Sequence, residues 1–197
     1  MKVRCSVSAS PQPGSSSSGR SSRVVVPLSE RRIDLTILGF FWFNVLFVSY
    51  SISLEQLVVP NPESFEYPLW PPRFLIDLVH WWGRTFDPVL WARPMWYRMT
   101  IWFDVLAFGP FYVVAIYAFT KGREWIRIPS IVYASVLFTN VFIILGEELA
   151  GPHAAESFLP IFLANAPWLL IPILIVFRMG RSEHPFTSPV GSDARRG

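Results

Sequence analysis

Residues 96–120 read WYRMTIWFDVLAFGPFYVVAIYAFT. From Met99 onward the stretch is apolar and long enough to cross a bilayer as one helix, since about 20 residues at 1.5 Å each cover the ~30 Å hydrocarbon layer. It holds one acid, Asp104, and one proline, Pro110. A carboxylate inside a span is costly unless it faces a protein interior with a partner, or lies close enough to the interface to be solvated. Asp104 is therefore the first candidate functional residue, and the helix around it sets the frame for the rest of the chain.

Working outward, three further apolar runs flank this one. Ile33 to Val59 is the first span, preceded by Arg31 and Arg32 and ended by Pro60. Ser130 to Gly146 is the third, and Phe158 to Phe177 the fourth, with Asn165, Pro167 and Pro172 inside it. Between spans one and two, Phe74 to Phe86 (FLIDLVHWWGRTF) is amphipathic, Trp-rich and too short to cross. It reads as an interfacial helix over the mouth of the bundle, with His80 at headgroup level. Residues 87–94 read as a turn into span two, and Glu147 to Ser157 as an acidic loop.

Composition agrees with this reading through its distribution. The 197 residues are 52% hydrophobic and 16% charged, with a net charge of +3, and the charges gather at the ends and in loops. The basic residues form no stripe interleaved with aromatics, so nucleic acid is not an expected partner. Cys5 is the single cysteine, which excludes an intrachain disulfide and a Cys-based zinc site. His80, His153 and His184 lie far apart, so no metal centre and no cofactor are expected. The expected organisation is a Ser/Arg-rich tail at 1–30, a four-helix transmembrane domain at 31–180 and a polar tail at 181–197. Residues 1–29 form no apolar signal core and suit a disordered cytosolic tail, or a plastid transit peptide.

Basic residues flank the start of span one, the loop at Lys121, Arg123 and Arg127, and the end of span four at Arg178 and Arg181. The positive-inside rule then places both termini in the cytosol. In that topology Glu55, Asp104, Asn140 and Asn165 each fall roughly 6–10 Å below the outer boundary, one per span. Facing inward, they would form one polar layer against an otherwise apolar cavity. Glu55 and Asp104 would then share a proton or a hydrogen bond, an arrangement suited to a cationic amphiphile or the hydroxyl of a sterol.

Five stretches carry a resemblance. They are YP at 67–68, FDPVL at 86–90, DVLAFGP at 104–110, YAFTKGREWIRIPSIVY at 117–133 and APWLLIP at 166–172. In this order they resemble the EXPERA-domain family, which holds sigma-2 receptor-like proteins and the emopamil-binding sterol isomerases. The resemblance implies an all-α bundle of membrane helices in the endoplasmic reticulum with a ligand cavity holding two acids. It implies that Asp104 is the acid of the second span, that Tyr133, Asn140, Asn165 and Trp168 line the cavity, and that Trp82 covers it. It also implies sterol or cationic-drug binding, a homodimer and a sterol transporter as partner. Asn165-Ala-Pro-Trp168 is more similar to the isomerase branch, whereas Ser51 stands where that branch carries a His one turn before the first-helix acid. The expectation is thus a sterol- or amphiphile-binding protein. The alternative is a Δ8–Δ7 sterol isomerase in which Glu55 and Asp104 are the catalytic acids.

Overall fold

The computed structural model describes residues 23–190, and within them four helices are long and apolar enough to cross a membrane. The spans are Arg32–Val58, Met95–Lys121, Glu124–Ala150 and Phe158–Gly180. The four-span reading therefore stands, with the first two spans departing from simple α geometry. The first is α-helical over Arg32–Phe43, π-helical over Asn44–Ser53 and α-helical again over Leu54–Val58. Side-chain donors help widen it. Asn44 Nδ2 takes the Phe40 carbonyl at 2.7 Å, and Ser51 Oγ reaches back to Leu46 O at 3.4 Å. The second span is π-helical over Asp104–Phe108, immediately before Gly109–Pro110. Pro110 has no N–H and its ring crowds the carbonyl four residues earlier, and a wide turn just ahead of it relieves both problems. The two π-helical stretches pack against one another.

The core is aromatic. Phe41 is fully buried among Phe119, Tyr112 and Tyr133, with ring centroids 5.5 to 5.8 Å away, while Phe111 stacks on Tyr133 at 4.5 Å. Edge and offset contacts of this kind add to the energy of packing alone. The third and fourth spans pair along most of their length.

At one end of the bundle the flanks of the chain meet. Strand β1 (Arg23–Val25) pairs antiparallel with β2 (Thr187–Pro189), with Val24 opposite Ser188. Beneath them Asp34, 0% exposed, accepts from Arg31 Nη1 at 2.9 Å and from Arg178 Nε at 2.9 Å. Both arginines lie over the buried ring of Phe186. So residues 23–30, expected within a disordered tail, carry a strand and a short 3-10 turn at Leu28–Glu30. Likewise 186–190, expected in the polar tail, hold a buried Phe and a strand. The remainder of both expected tails, 1–22 and 191–197, lies outside the described residues. Long-range contacts explain the difference: Arg178 reaches Asp34 across 144 residues, Arg31 donates to Val26 O, and the Phe186 N–H and the Thr187 hydroxyl donate to Glu124, none of which leaves a local pattern.

The opposite end is closed by the interfacial helix, Arg73–Thr85, and a short helix, Pro88–Ala92. The third span is longer than its hydropathy suggested. It runs through Glu147 and Glu148 to Ala150, which shortens the expected acidic loop to 151–157. Glu148 is fully buried because it accepts from the Val89 N–H at 3.3 Å, so the short helix prolongs the third span by packing on it.

Candidate ligand cavity

All four spans and the interfacial helix enclose a cavity of about 410 Å³, within the ~300–1,000 Å³ range of small-molecule sites. Phe47, Ile52, Ile101 and Phe108 supply apolar wall from the first two spans, and Ile144 from the third. The interfacial helix turns Leu75, Leu78, Val79 and Trp82 into the cavity, and leaves Phe74 and Trp81 exposed on its outer face. Phe43 and Ala164 line the cavity and are also exposed, so it reaches the lipid-facing surface between the first and fourth spans.

The polar groups are few and unequal. Asp104 Oδ1 accepts from Ser49 Oγ at 3.1 Å, across the two packed π-helical stretches. Asp104 Oδ2 is buried and has no hydrogen-bond partner. An unmet buried acceptor is a cost that a bound donor removes. Asn140 and Asn165 also line the cavity, the latter with its Nδ2 committed to Ile161 O at 3.0 Å. Trp168 lines it while donating Nε1 to Asn44 Oδ1 at 2.8 Å.

Two sequence-derived positions lie elsewhere. Tyr133 is not in the lining. Its ring packs 5.0 Å behind that of Phe108, and its hydroxyl donates to Tyr112 OH at 3.1 Å, which in turn reaches Asn44 Oδ1 at 3.5 Å. Glu55 is 0% exposed and also lies outside the lining, where its neighbour Gln56 takes the place expected for it. Arg93 Nη2 grips both Glu55 oxygens at 3.0 and 2.9 Å, and His80 Nε2 lies 2.9 Å from Oε1. The expected pairing of Glu55 with Asp104 is therefore replaced by two separate arrangements: an ion pair for Glu55, and serine hydroxyls from Ser49 and Ser53 without a cation for Asp104. His80, expected at headgroup level, is 6% exposed and belongs to this cluster.

Arg93 reaches Glu55 because of its backbone. It sits in the left-handed region at φ 49°, ψ 51°, at the end of the short helix, where the chain turns back on itself. From there its guanidinium also donates to Val59 O, at the C-terminal end of the first span, and to Leu90 O. One side chain thus ties the first span to the connection before the second. The N-terminus of the short helix gathers two carboxylates on consecutive N–H groups. Asp87 accepts from Leu90 N at 2.8 Å and Glu148 from Val89 N. Asp87 lines the cavity.

Sequence reasoning missed Asn44, Ser49, Gln56, Arg93 and Glu148. Asn44 carried a usable signal, a polar amide deep in an apolar run. Arg93 carried none, because nothing local foretells a left-handed arginine.

A family model described as EBP: EXPERA (EXPanded EBP superfamily) matches residues 74–179. A protein named Sigma intracellular receptor 2 from Xenopus tropicalis is 31% identical over 154 residues, covering 73% of this chain and 85% of its own. Its namesake in Macaca fascicularis is 28% identical over 173 residues, covering 81% and 93%. The Homo sapiens protein of that name is 29% identical over 168 residues, covering 78% and 91%.

Proposed function

The chain belongs to the EXPERA superfamily, and from that premise we propose that it binds a sterol or a cationic amphiphile in its intramembrane cavity, as a sigma-2 receptor-like protein of sterol homeostasis or trafficking. The observation that carries this reading is Asp104 Oδ2, a buried acceptor without a partner at the wall of an apolar cavity. An ammonium or hydroxyl donor on an apolar body satisfies both features at once. The opening between the first and fourth spans supports entry from the bilayer, which suits a ligand already dissolved in lipid. The basic flanks at Arg31, Arg32, Arg178 and Arg181 support an orientation with both ends of the bundle in the cytosol, and the family relationship supports the endoplasmic reticulum as its membrane.

The isomerase reading finds support in Asn165 and Trp168, which line the cavity in the spacing similar to that branch. It is weakened by Glu55. Isomerisation needs a donor and an acceptor over two ring carbons, and the carboxylate expected to share that work is clasped by Arg93.

The test is equilibrium binding of a tertiary-amine amphiphile to the purified protein and to Asp104→Asn. The affinity falls at least ~10-fold in the variant, the equivalent of one charge-assisted contact. Equal affinities would overturn the role given to Asp104. Incubation with a Δ8-sterol yields retained, unchanged sterol; accumulation of the Δ7 product would instead establish the isomerase.

A further inference from the structure

We propose that the outer face of the interfacial helix carries a second site, separate from the ligand cavity, and that it seats the headgroup of a zwitterionic phospholipid, a phosphate linked to an ammonium. This site does not depend on the role given to Asp104.

A second cavity, of about 420 Å³, opens on that face. Asp77, His80, Trp81 and Arg84 line it from the interfacial helix, and Phe65 and Tyr67 from the loop before it. The four helical residues stand at i, i+3, i+4 and i+7, one stripe along the helix. None of the six lines the ligand cavity. The stripe ends in opposite charges. Asp77 and Arg84 are both exposed, and neither makes an ion pair among the described residues. Asp77 Oδ1 accepts from Tyr67 OH at 2.7 Å, which orients the carboxylate and leaves its second oxygen open. The Arg84 guanidinium lies 4.5 Å from the centre of the Trp91 ring, a contact that steadies its plane and leaves its N–H edge free to donate. The other polar groups nearby are spoken for. His80 is buried with Nε2 at 2.9 Å from Glu55, Thr85 donates its hydroxyl to Trp81 O at 2.7 Å, and Arg73 lies over the Tyr67 ring outside the lining.

Seven residues, about 10 Å of helix, separate Asp77 from Arg84. A phosphate alone meets Arg84 and is repelled by Asp77; an ammonium alone meets Asp77 and is repelled by Arg84. A molecule that carries both charges a short link apart satisfies both ends, with the exposed Trp81 ring between them to favour the ammonium. Depth argues for a membrane lipid. The loop after Tyr67 returns against the first span, where Trp70 Nε1 donates to Tyr50 O at 2.7 Å. Tyr50 stands eight residues before Val58, the last of that span, so the loop descends about two turns below the end of the span. Leu69 is fully exposed beside it and Trp70 half exposed. Next to a charge-paired groove at headgroup level, the loop thus offers an apolar surface at the depth of an acyl chain.

The experiment titrates three lipids of identical chains onto the full-length protein in detergent and counts retained molecules by native mass spectrometry. They are dioleoyl phosphatidylcholine, dioleoyl phosphatidylglycerol, which has the phosphate without the cation, and dioleoylglycerol, which has neither. The wild type retains phosphatidylcholine about 10-fold more tightly than the other two, the value of one charge-assisted contact. Asp77→Asn brings phosphatidylcholine and phosphatidylglycerol level. Arg84→Gln lowers phosphatidylcholine to the level of dioleoylglycerol, and Arg84→Lys recovers part of the loss. All three variants keep the wild-type affinity for the tertiary-amine amphiphile, which reports an intact bundle and a separate cavity. No preference among the lipids on the wild type, or a preference that Asp77→Asn and Arg84→Gln leave unchanged, overturns the headgroup site. Loss of the amine in these variants overturns its separation from the cavity. Failure of the amine to bind the wild type would count against the reading of Asp104 alone.

Discussion

Arg93 and Glu55, 38 residues apart in the chain, form a two-pronged ion pair whose side chains are 1% and 0% exposed. Removing one partner of such a pair strands the other charge in the interior, whereas replacing both with apolar groups of similar size is often nearly neutral. Arg93→Met should therefore destabilise the protein by about 3–5 kcal/mol. Combining it with Glu55→Leu should recover most of that loss. Thermal unfolding in detergent of the two single variants and the double variant checks this. A double variant no more stable than Arg93→Met would mean that the pair is not coupled as drawn.

The two acids that the sequence placed in one layer should respond oppositely to neutralisation. Glu55→Gln keeps the shape but weakens the grip of Arg93, so it should lower the unfolding temperature and leave amine affinity per folded molecule within about 2-fold of wild type. Asp104→Asn should do the reverse, with affinity lost and stability unchanged or raised, since its carboxylate is served by serine hydroxyls and faces no cation. Paired melting and binding curves separate the two, and matching profiles for both acids would contradict the separation.

Asn44 Oδ1 is the acceptor on which Trp168 Nε1 and Tyr112 OH converge. Asn44→Leu should cost about 1–3 kcal/mol per donor left unmet. The penalty should shrink in an Asn44→Leu, Trp168→Phe background, which removes the stranded indole donor. A double-mutant cycle on unfolding free energy measures that coupling; strict additivity would show that the hydrogen bond contributes nothing.

Val24 and Ser188 face each other across the β1–β2 pair. In a Cys5→Ser background, Val24→Cys with Ser188→Cys should cross-link under mild oxidation and change the gel mobility of the unreduced chain. Moving the first cysteine to Val26, outside the paired register, should reduce the yield several-fold, because a disulfide tolerates only a narrow range of Cβ separations.

The sequence showed the four spans, the interfacial helix and Asp104 plainly, for one reason. A bilayer demands long apolar runs, so a charge within one stands out. Asn140, Asn165 and Trp168 were placed at the cavity by depth and resemblance, and they line it. Glu55 was misplaced by one position on its helix. A depth argument fixes height but not azimuth, and one residue on a helix is a rotation of about 100°. Gln56, the next residue, took the cavity face. Arg93 settled the matter, and its reach depends on a left-handed backbone that hydropathy does not register. The extension of the third span to Ala150 was hidden because Glu147 and Glu148 look like loop residues until the Val89 N–H comes into contact. Tyr133 was expected in the cavity lining and instead packs behind Phe108, which lines it.

The paired strands bring residues 23 and 189 side by side, which makes the described chain very nearly a ring. Joining 190 to 23 through a short linker and cutting at 151–157 would produce a circular permutant with the same helices in the same neighbourhood. Its new ends would emerge on the other side of the bilayer. The signals that orient a membrane protein during insertion and the contacts that hold it once folded would then be separated in one molecule. The packing of Asp34, Arg178 and Phe186 could be studied apart from the order in which the spans enter the membrane.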